Sequence, residues 1–369
     1  MKRETLILQA GLPDPDRPGP FMPGPVFAST YVSPGDPAGH PLTYGRFHNP
    51  TWNAWEQALE VLEGGPALAF PSGMAACAAI LGVTLKPGDV VLLPADAYYT
   101  IRRFAESWLT DYGIVVRMAP TRGEAQAALL DGAKLLWIET PSNPGLEVCD
   151  LAKLLGLAKE KGVLTAVDNT TATAFLQQPL ELGATFSVAS DTKALTGHSD
   201  LLLGHVATRD AEWMTRLRTW RTQYGSIPGP MEVWLAHRSL GTLSLRMARQ
   251  CATADALARA IAARGDVAQV LYPGLPNHPG HAVAKRQMSG FGGVLSFDLE
   301  TRPRAETFLA ALELVRETTS FGGIHSTAER RARWGGDPVS EGFIRFSVGC
   351  EATEDLVADV LQALDRARP

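Results

Sequence analysis

The sequence predicts an α/β protein with a large, mostly parallel sheet domain and a smaller carboxyl-terminal α/β domain. Two observations predict it. Short apolar runs (PALAF, DVVLLP, GIVVRMAP, KLLWIETP, LTAVDNT, TFSVAS) alternate with helical stretches such as LAKLLGLAKEKG, and that alternation packs as right-handed crossovers around a parallel sheet. After about residue 230 the texture changes to a long helical segment followed by further short runs. A chain of 369 residues, 45% hydrophobic and 20% charged, is long enough for two cores.

The elements follow in order. Residues 1–50, rich in Pro and Gly (GLPDPDRPGPFMPGPV), have no helical or strand period, and they read as an arm lying over a surface or a neighbouring subunit. A helix is expected from Asn49-Pro50 through TWNAWEQALEVLEG, ending on Gly64-Gly65. The uncharged stretch Pro66–Leu85 has the length of a membrane span, but Pro71-Ser72-Gly73 divides it into a strand, a tight turn and a buried helix. The alternating segment 51–235 forms the first domain and 236–369 the second. Within the latter, a long helix interrupted near Gly241 precedes the runs GGVLSFDLE, ELVRETTSFGG and EGFIRFSVG.

Composition excludes several classes. A net charge of -5 offers no global field for nucleic acid, and the cluster Glu329-Arg330-Arg331-Ala332-Arg333 reads as a local solvated loop. Cys77, Cys149, Cys251 and Cys350 are far apart with no CxxC pair, which argues against a zinc site or a disulfide framework and fits a reducing cytoplasm. The start MKRETLILQAG lacks the apolar region of a secretory signal. His278 and His281 have a metal-compatible spacing but no third ligand near them in sequence, and read as a loop before a helix; no metal is expected.

Candidate chemistry gathers at the ends of the apolar runs, where open α/β sheets form their ligand crevice. In SDTKALTGHSD, Lys193 stands among hydroxyls and small residues. A lone lysine is usually a surface residue, but Ser190 and Thr192 on alternate positions can reach a phosphate beside this one. A lysine so placed can bond an aldehyde cofactor, pyridoxal 5′-phosphate (PLP) being the commonest. In FPSGMAAC, Ser72, Gly73 and Met74 open a helix whose free amides and dipole suit an anion. Asp168, closing TAVDN, could keep a pyridine nitrogen protonated or simply cap a turn. Glu139, Asn143 and Asp168 outline a polar crevice.

Together these pieces resemble the Cys/Met-metabolism PLP enzymes, which include cystathionine γ-lyases and β-lyases, cystathionine γ-synthases and methionine γ-lyases. The resemblance runs from about Tyr44 to the C-terminus, through YGRFHNPT, LEGGPALAFPSGMAA, ETPSNP, AVDNT, SDTKALTGHSD, LRM, YPGLPNHPGH, SFGG and IRFSVGCE. It implies PLP fold type I, the aspartate aminotransferase-like architecture, with Lys193 as the Schiff-base lysine. It further implies a phosphate cradle of Ser190, Thr192 and the amides of Gly73 and Met74, with Asp168 at the ring nitrogen and Tyr98 stacked on the ring. Tyr44 and Arg46 match a pair that reaches the phosphate of a neighbouring subunit, which implies a dimer, usually paired again into a tetramer. Arg345 matches the arginine that grips the substrate α-carboxylate, and Asn143 and Ser320 match residues near the cofactor oxygen and the substrate carboxylate.

The sequence also departs from the family pattern. Ala194 follows the lysine where relatives usually have tyrosine, and Tyr98-Tyr99-Thr100-Ile101 stands where Tyr-Gly-Gly-Thr is common. His325 replaces a carboxylate near the distal end of the substrate, and the loop TAERRARWGGDPVSEG is short and basic. A basic loop would favour a substrate with a second carboxylate. The expected reaction is γ-elimination of L-cystathionine. The alternatives are β-elimination, methionine γ-elimination, γ-replacement on an activated homoserine and, in a different class, a non-catalytic cofactor-binding scaffold.

Overall fold

A computed structural model describes residues 1–368. Its larger sheet contains β1 (Ala67–Phe70), β2 (Val90–Pro94), β3 (Val115–Ala119), β4 (Leu135–Glu139), β5 (Leu164–Asp168), β6 (Phe186–Ala189) and β7 (Gly204–Ala207), in the order β1-β7-β6-β5-β4-β2-β3. Strands β2 to β6 pair in parallel, whereas β7 runs antiparallel to both β1 and β6. Every residue of β1, β4, β6 and β7 is buried, as a sheet covered on both faces requires. One face packs Leu68, Phe70, Val91 and Trp137 against the helix Gly73–Thr84, and the other packs Leu92, Leu136 and Ile138 against Leu151–Glu160.

The smaller sheet holds β8 (Gln269–Leu271), β9 (Val294–Asp298), β10 (Arg316–Glu317), β11 (Thr327–Arg330) and β12 (Phe343–Ser347), in the order β10-β11-β12-β9-β8. The helices Leu243–Ala262 and Thr353–Arg366 bury Leu257, Ile261, Leu356 and Val360 against its apolar face. The interruption at Gly241 is real: Pro230–Leu240 ends there and a second helix starts at Leu243. The Pro66–Leu85 stretch is β1, a turn and a helix, and among the described residues no helix is long and apolar enough to cross a membrane.

Three expectations change. The arm contains a helix, Arg3–Gln9, whose single buried residue Ile7 packs with Trp52 and Trp55; one buried position gives no period to read. Strand β7 escapes the sequence because its run GHVA carries His205 at its centre. The basic segment is also no solvated loop. Its first residues form β11, antiparallel to β12 with Glu329 opposite Arg345, and Glu329, Arg330 and Arg331 are all buried.

Candidate active site

The carboxyl ends of β1, β4, β5 and β6 deliver Ser72, Glu139, Asp168 and the segment 190–193 to one cavity of about 370 Å³. Ser72, Gly73, Met74, Tyr98, Asn143, Asp168, Ser190, Thr192, Lys193, Ser320 and Arg345 all line it. Ser72 caps the helix Gly73–Thr84 by accepting from the Ala75 amide at 3.1 Å. The amides of Gly73 and Met74 donate to no group of the described chain, so they remain free for an anion. Both glycines of this corner are required by space. A Cβ on Gly73 would sit 2.7 Å from Ser190 Cβ, and one on Gly204 2.6 Å from the Gly73 nitrogen.

The lysine segment is held from several sides. Ser190 donates its amide to Thr170 Oγ1 at 2.9 Å, and Arg246 donates to the carbonyls of Ala194 at 2.6 Å and Leu195 at 2.9 Å. A Cβ on Gly322 would run into the Ala194 backbone, so the smaller sheet's loop closes directly over the lysine turn. Thr192 is more committed than expected: its hydroxyl donates to the Leu203 carbonyl and accepts from the Leu203 amide. It donates to a phosphate only after releasing Leu203.

Lys193 Nζ donates to Ser320 Oγ at 2.9 Å and lies 5.4 Å from the centre of the Phe321 ring. Burial, reinforced by the nearby Arg345 cation, lowers its pKa to about 8. Ser320 itself has a left-handed backbone, φ 81°, a strained conformation for a non-glycine residue. Asp168 accepts from the Thr170 amide at 3.0 Å, and burial raises its carboxyl above the usual range. Glu139 joins the crevice from beneath, accepting from the Tyr98 amide at 2.7 Å and the Asn143 amide at 2.8 Å. Burial and the neighbouring Asp168 raise its carboxyl well above the usual value.

Facing the lysine, Arg345 donates to Asn143 Oδ1 at 2.7 Å, to the Ser320 carbonyl at 3.0 Å and to Glu329. Glu329 also accepts from Arg331 at 2.8 Å, Arg333 at 3.0 Å and Trp334 Nε1 at 2.8 Å. The Arg345 charge, with the bonds from Trp334 and Arg331, outweighs burial and holds its carboxyl below the usual range. Sequence reasoning missed Glu329 because a cross-strand partner sixteen residues away leaves no local signal. The expectation of a cationic loop is corrected here. Arg330 pairs with Glu341, Arg331 with Glu329 and Asp337, and Arg333 with Glu317 and Glu329.

Three predicted residues stand apart from this cavity. His325 lines an outer cavity of about 670 Å³ that shares Thr192, Leu202, Thr319, Ser320 and Phe321 with the inner one. Arg46 packs over Tyr44 and Phe47 and donates to the Thr222 carbonyl at 2.6 Å; neither it nor Tyr44 lines the cavity of its own chain. His278 and His281 order their loop by bonds to the Gly280 amide and the Pro273 carbonyl.

Residues 4–365 match the family model for the Cys/Met metabolism PLP-dependent enzymes. The chain belongs to that family. It is similar to a Streptomyces coelicolor protein named "Putative cystathionine gamma-lyase", 56% identical over 98% of this chain and 93% of that one. It is 36% identical to a cystathionine beta-lyase of Lactococcus lactis, over 98% of this chain and 99% of that one. The structure of a methionine gamma lyase from Micromonospora echinospora superposes with a TM-score of 0.93, at 39% identity and 99% coverage of each chain. The fold is therefore PLP fold type I, the protein is a PLP-dependent enzyme of the carbon–sulfur lyase kind, and its cofactor is pyridoxal 5′-phosphate. The residues fit that group: unpartnered amides beside the Ser190 hydroxyl for a phosphate, a carboxylate for a ring nitrogen and a depressed lysine for an aldehyde.

Proposed function

We propose that the protein eliminates the γ-substituent of L-cystathionine, giving cysteine, 2-oxobutanoate and ammonia with uptake of one water. The observation that carries this reading is Lys193 with a pKa lowered to about 8, facing Arg345 across one cavity, in a chain 56% identical to a relative named for that activity. When bound, PLP supplies the electron sink that stabilises negative charge developing at the substrate Cα. Gly73, Met74, Ser72, Ser190 and Thr192 hold its phosphate, Asp168 its ring nitrogen, and Tyr98 one face of its ring. Arg345, oriented by Asn143, grips the substrate α-carboxylate through its planar fork, with Ser320 beside it. Lys193, whose lowered pKa makes the neutral amine accessible, takes the proton from Cα and returns protons along the chain, while Tyr98 protonates the departing thiolate. The distal cysteine half extends into the outer cavity toward His325.

The arm supports a second part of the proposal, a dimer in which each chain offers Tyr44 and Arg46 to its neighbour's phosphate, paired again into a homotetramer. Phe21, Phe27 and Val32 of the arm are left exposed on the single chain. The proposed division is into an arm (residues 1–50), a PLP-binding unit (51–235) and a carboxyl-terminal unit (236–369), although the helix Pro230–Leu240 crosses the second boundary and shares one core with Ile7, Trp52 and Trp55. Four free cysteines suit the cytoplasm. The decisive experiment is product identification from L-cystathionine and the PLP-loaded protein. Cysteine with 2-oxobutanoate is expected; homocysteine with pyruvate would replace the proposal with β-elimination, and methanethiol from methionine in the absence of either would move it to methionine γ-elimination.

A further inference from the structure

Three ionisable side chains with no solvent exposure meet beneath the lysine segment. His205 Nδ1 lies 2.5 Å from Asp191 Oδ1 and its Nε2 lies 2.8 Å from Glu63 Oε1. They come from three elements: Glu63 ends the helix Pro50–Glu63, His205 is inside β7, and Asp191 follows β6. With a carboxylate at each ring nitrogen, both nitrogens donate and the ring is an imidazolium. Burial opposes that charge, but the two carboxylates outweigh it and bring the pKa to about 10. Asp191 Oδ2 and Glu63 Oε2 have no partner among the described residues.

Such a trio is a poor way to stabilise a core. Burying ions costs several kcal/mol each, and apolar residues of similar volume often do as well or better. None of the three lines the lysine cavity, so none touches cofactor or substrate. What distinguishes them is where Asp191 sits, between Ser190 and Thr192 and two residues before Lys193. Its carbonyl is fastened as well, by the Thr196 amide at 3.1 Å and the Thr196 hydroxyl at 2.9 Å.

We propose that Glu63, His205 and Asp191 form a positioning device for the cofactor loop, tying its downward-facing side chain to the sheet so that Ser190 and Lys193 are presented to PLP. The inference rests on the reading of Ser190 and Lys193 as cofactor ligands, which Ser190→Ala tests separately. The measurements are the PLP dissociation constant, from the visible absorbance of the loaded protein, and the melting temperature of the PLP-free chain. Asp191→Ala weakens PLP binding by about tenfold, while Asp191→Asn, which still accepts from the imidazole, stays within about threefold of the parent. The triple variant Glu63→Leu, His205→Val, Asp191→Ala recovers melting temperature without recovering PLP affinity, and it carries the test if Asp191→Ala alone does not fold. Parental PLP affinity in the triple variant, or a loss of melting temperature alone in Asp191→Ala, overturns the proposal. Weakening by Ser190→Ala without weakening by Asp191→Ala rejects the triad alone, whereas unchanged binding in Ser190→Ala rejects the ligand assignment beneath it.

Discussion

Two cations face each other across the inner cavity, and the chain treats them in opposite ways. Lys193 has one hydrogen bond, to a neutral hydroxyl, and a pKa brought down to about 8 by burial and by Arg345. Arg345 is the more deeply buried of the two and is bound to Asn143, the Ser320 carbonyl and Glu329. Behind Glu329 stand Arg331, Arg333 and Trp334, and behind Arg331 stand Asp337 and Arg102. The difference follows from what each group has to do. Burial depresses the pKa of both cations, but a base must be able to lose its proton, so it is left without a carboxylate; an anchor must keep its charge, so an ion-pair network offsets part of its burial and its pKa falls only to about 10.

The contrast breaks most visibly at the lysine. Lys193→Ala should lower turnover of any amino-acid substrate by at least about a thousandfold and remove the visible absorbance of the loaded protein. Steady-state product assays and a spectrum check both, and retained turnover would mean that the base lies elsewhere.

A smaller effect is expected on the arginine side. Glu329→Gln keeps the shape but leaves Arg345, Arg331 and Arg333 around a neutral amide. Loss of that compensation should cost about 2–4 kcal/mol in denaturant unfolding of the PLP-free chain. It should also raise KM by about three- to tenfold with kcat nearly constant, because a displaced anchor weakens binding before and during the reaction alike. A fall in kcat at constant KM would instead put Glu329 at the reacting atoms.

The lysine side is the more legible of the two in sequence, for a physical reason. Its parts stand at the ends of successive short apolar runs, and a parallel sheet necessarily brings those ends together, so Ser72, Asp168 and Lys193 group from the order of residues alone. Arg345 comes through family resemblance, and its supports come through neither route. Thr327–Arg330 has a single apolar residue, Ala328, and so does not announce a strand, and its pairing with β12 is what turns Glu329 toward Arg345. The arginine cluster reads as solvated because three of its acids, Glu317, Asp337 and Glu341, lie outside it in sequence, and the fourth, Glu329, is turned inward by its strand. His205 conceals a strand for the converse reason: a charged residue inside an apolar run argues against burial unless its two carboxylates are known. Local chemistry is readable, whereas cross-strand compensation is not.

The finest test of the contrast is the protonation of Lys193 itself. Capture of PLP by the cofactor-free chain needs the neutral amine, so its rate should rise with pH through a midpoint at about 8 rather than at the ordinary lysine value of 10.5. Stability carries the same sign. Between those two values the unfolded chain holds the proton that the folded chain has released, so the Lys193 contribution to stability improves as pH rises through that window. Below about 8 the full penalty of burying the ammonium is present. Lys193→Met should therefore make the PLP-free chain more stable at neutral pH by about 1–3 kcal/mol, an advantage that fades at alkaline pH. Glu329 is the one carboxylate that holds the lysine pKa up, so Glu329→Gln should move the capture midpoint below that of the parent. A parental midpoint near 10.5 would show the lysine to be solvated, and an unchanged midpoint in Glu329→Gln would show it to be uncoupled from the Glu329–Arg345 pair; either result removes the basis for treating base and anchor as one electrostatic unit.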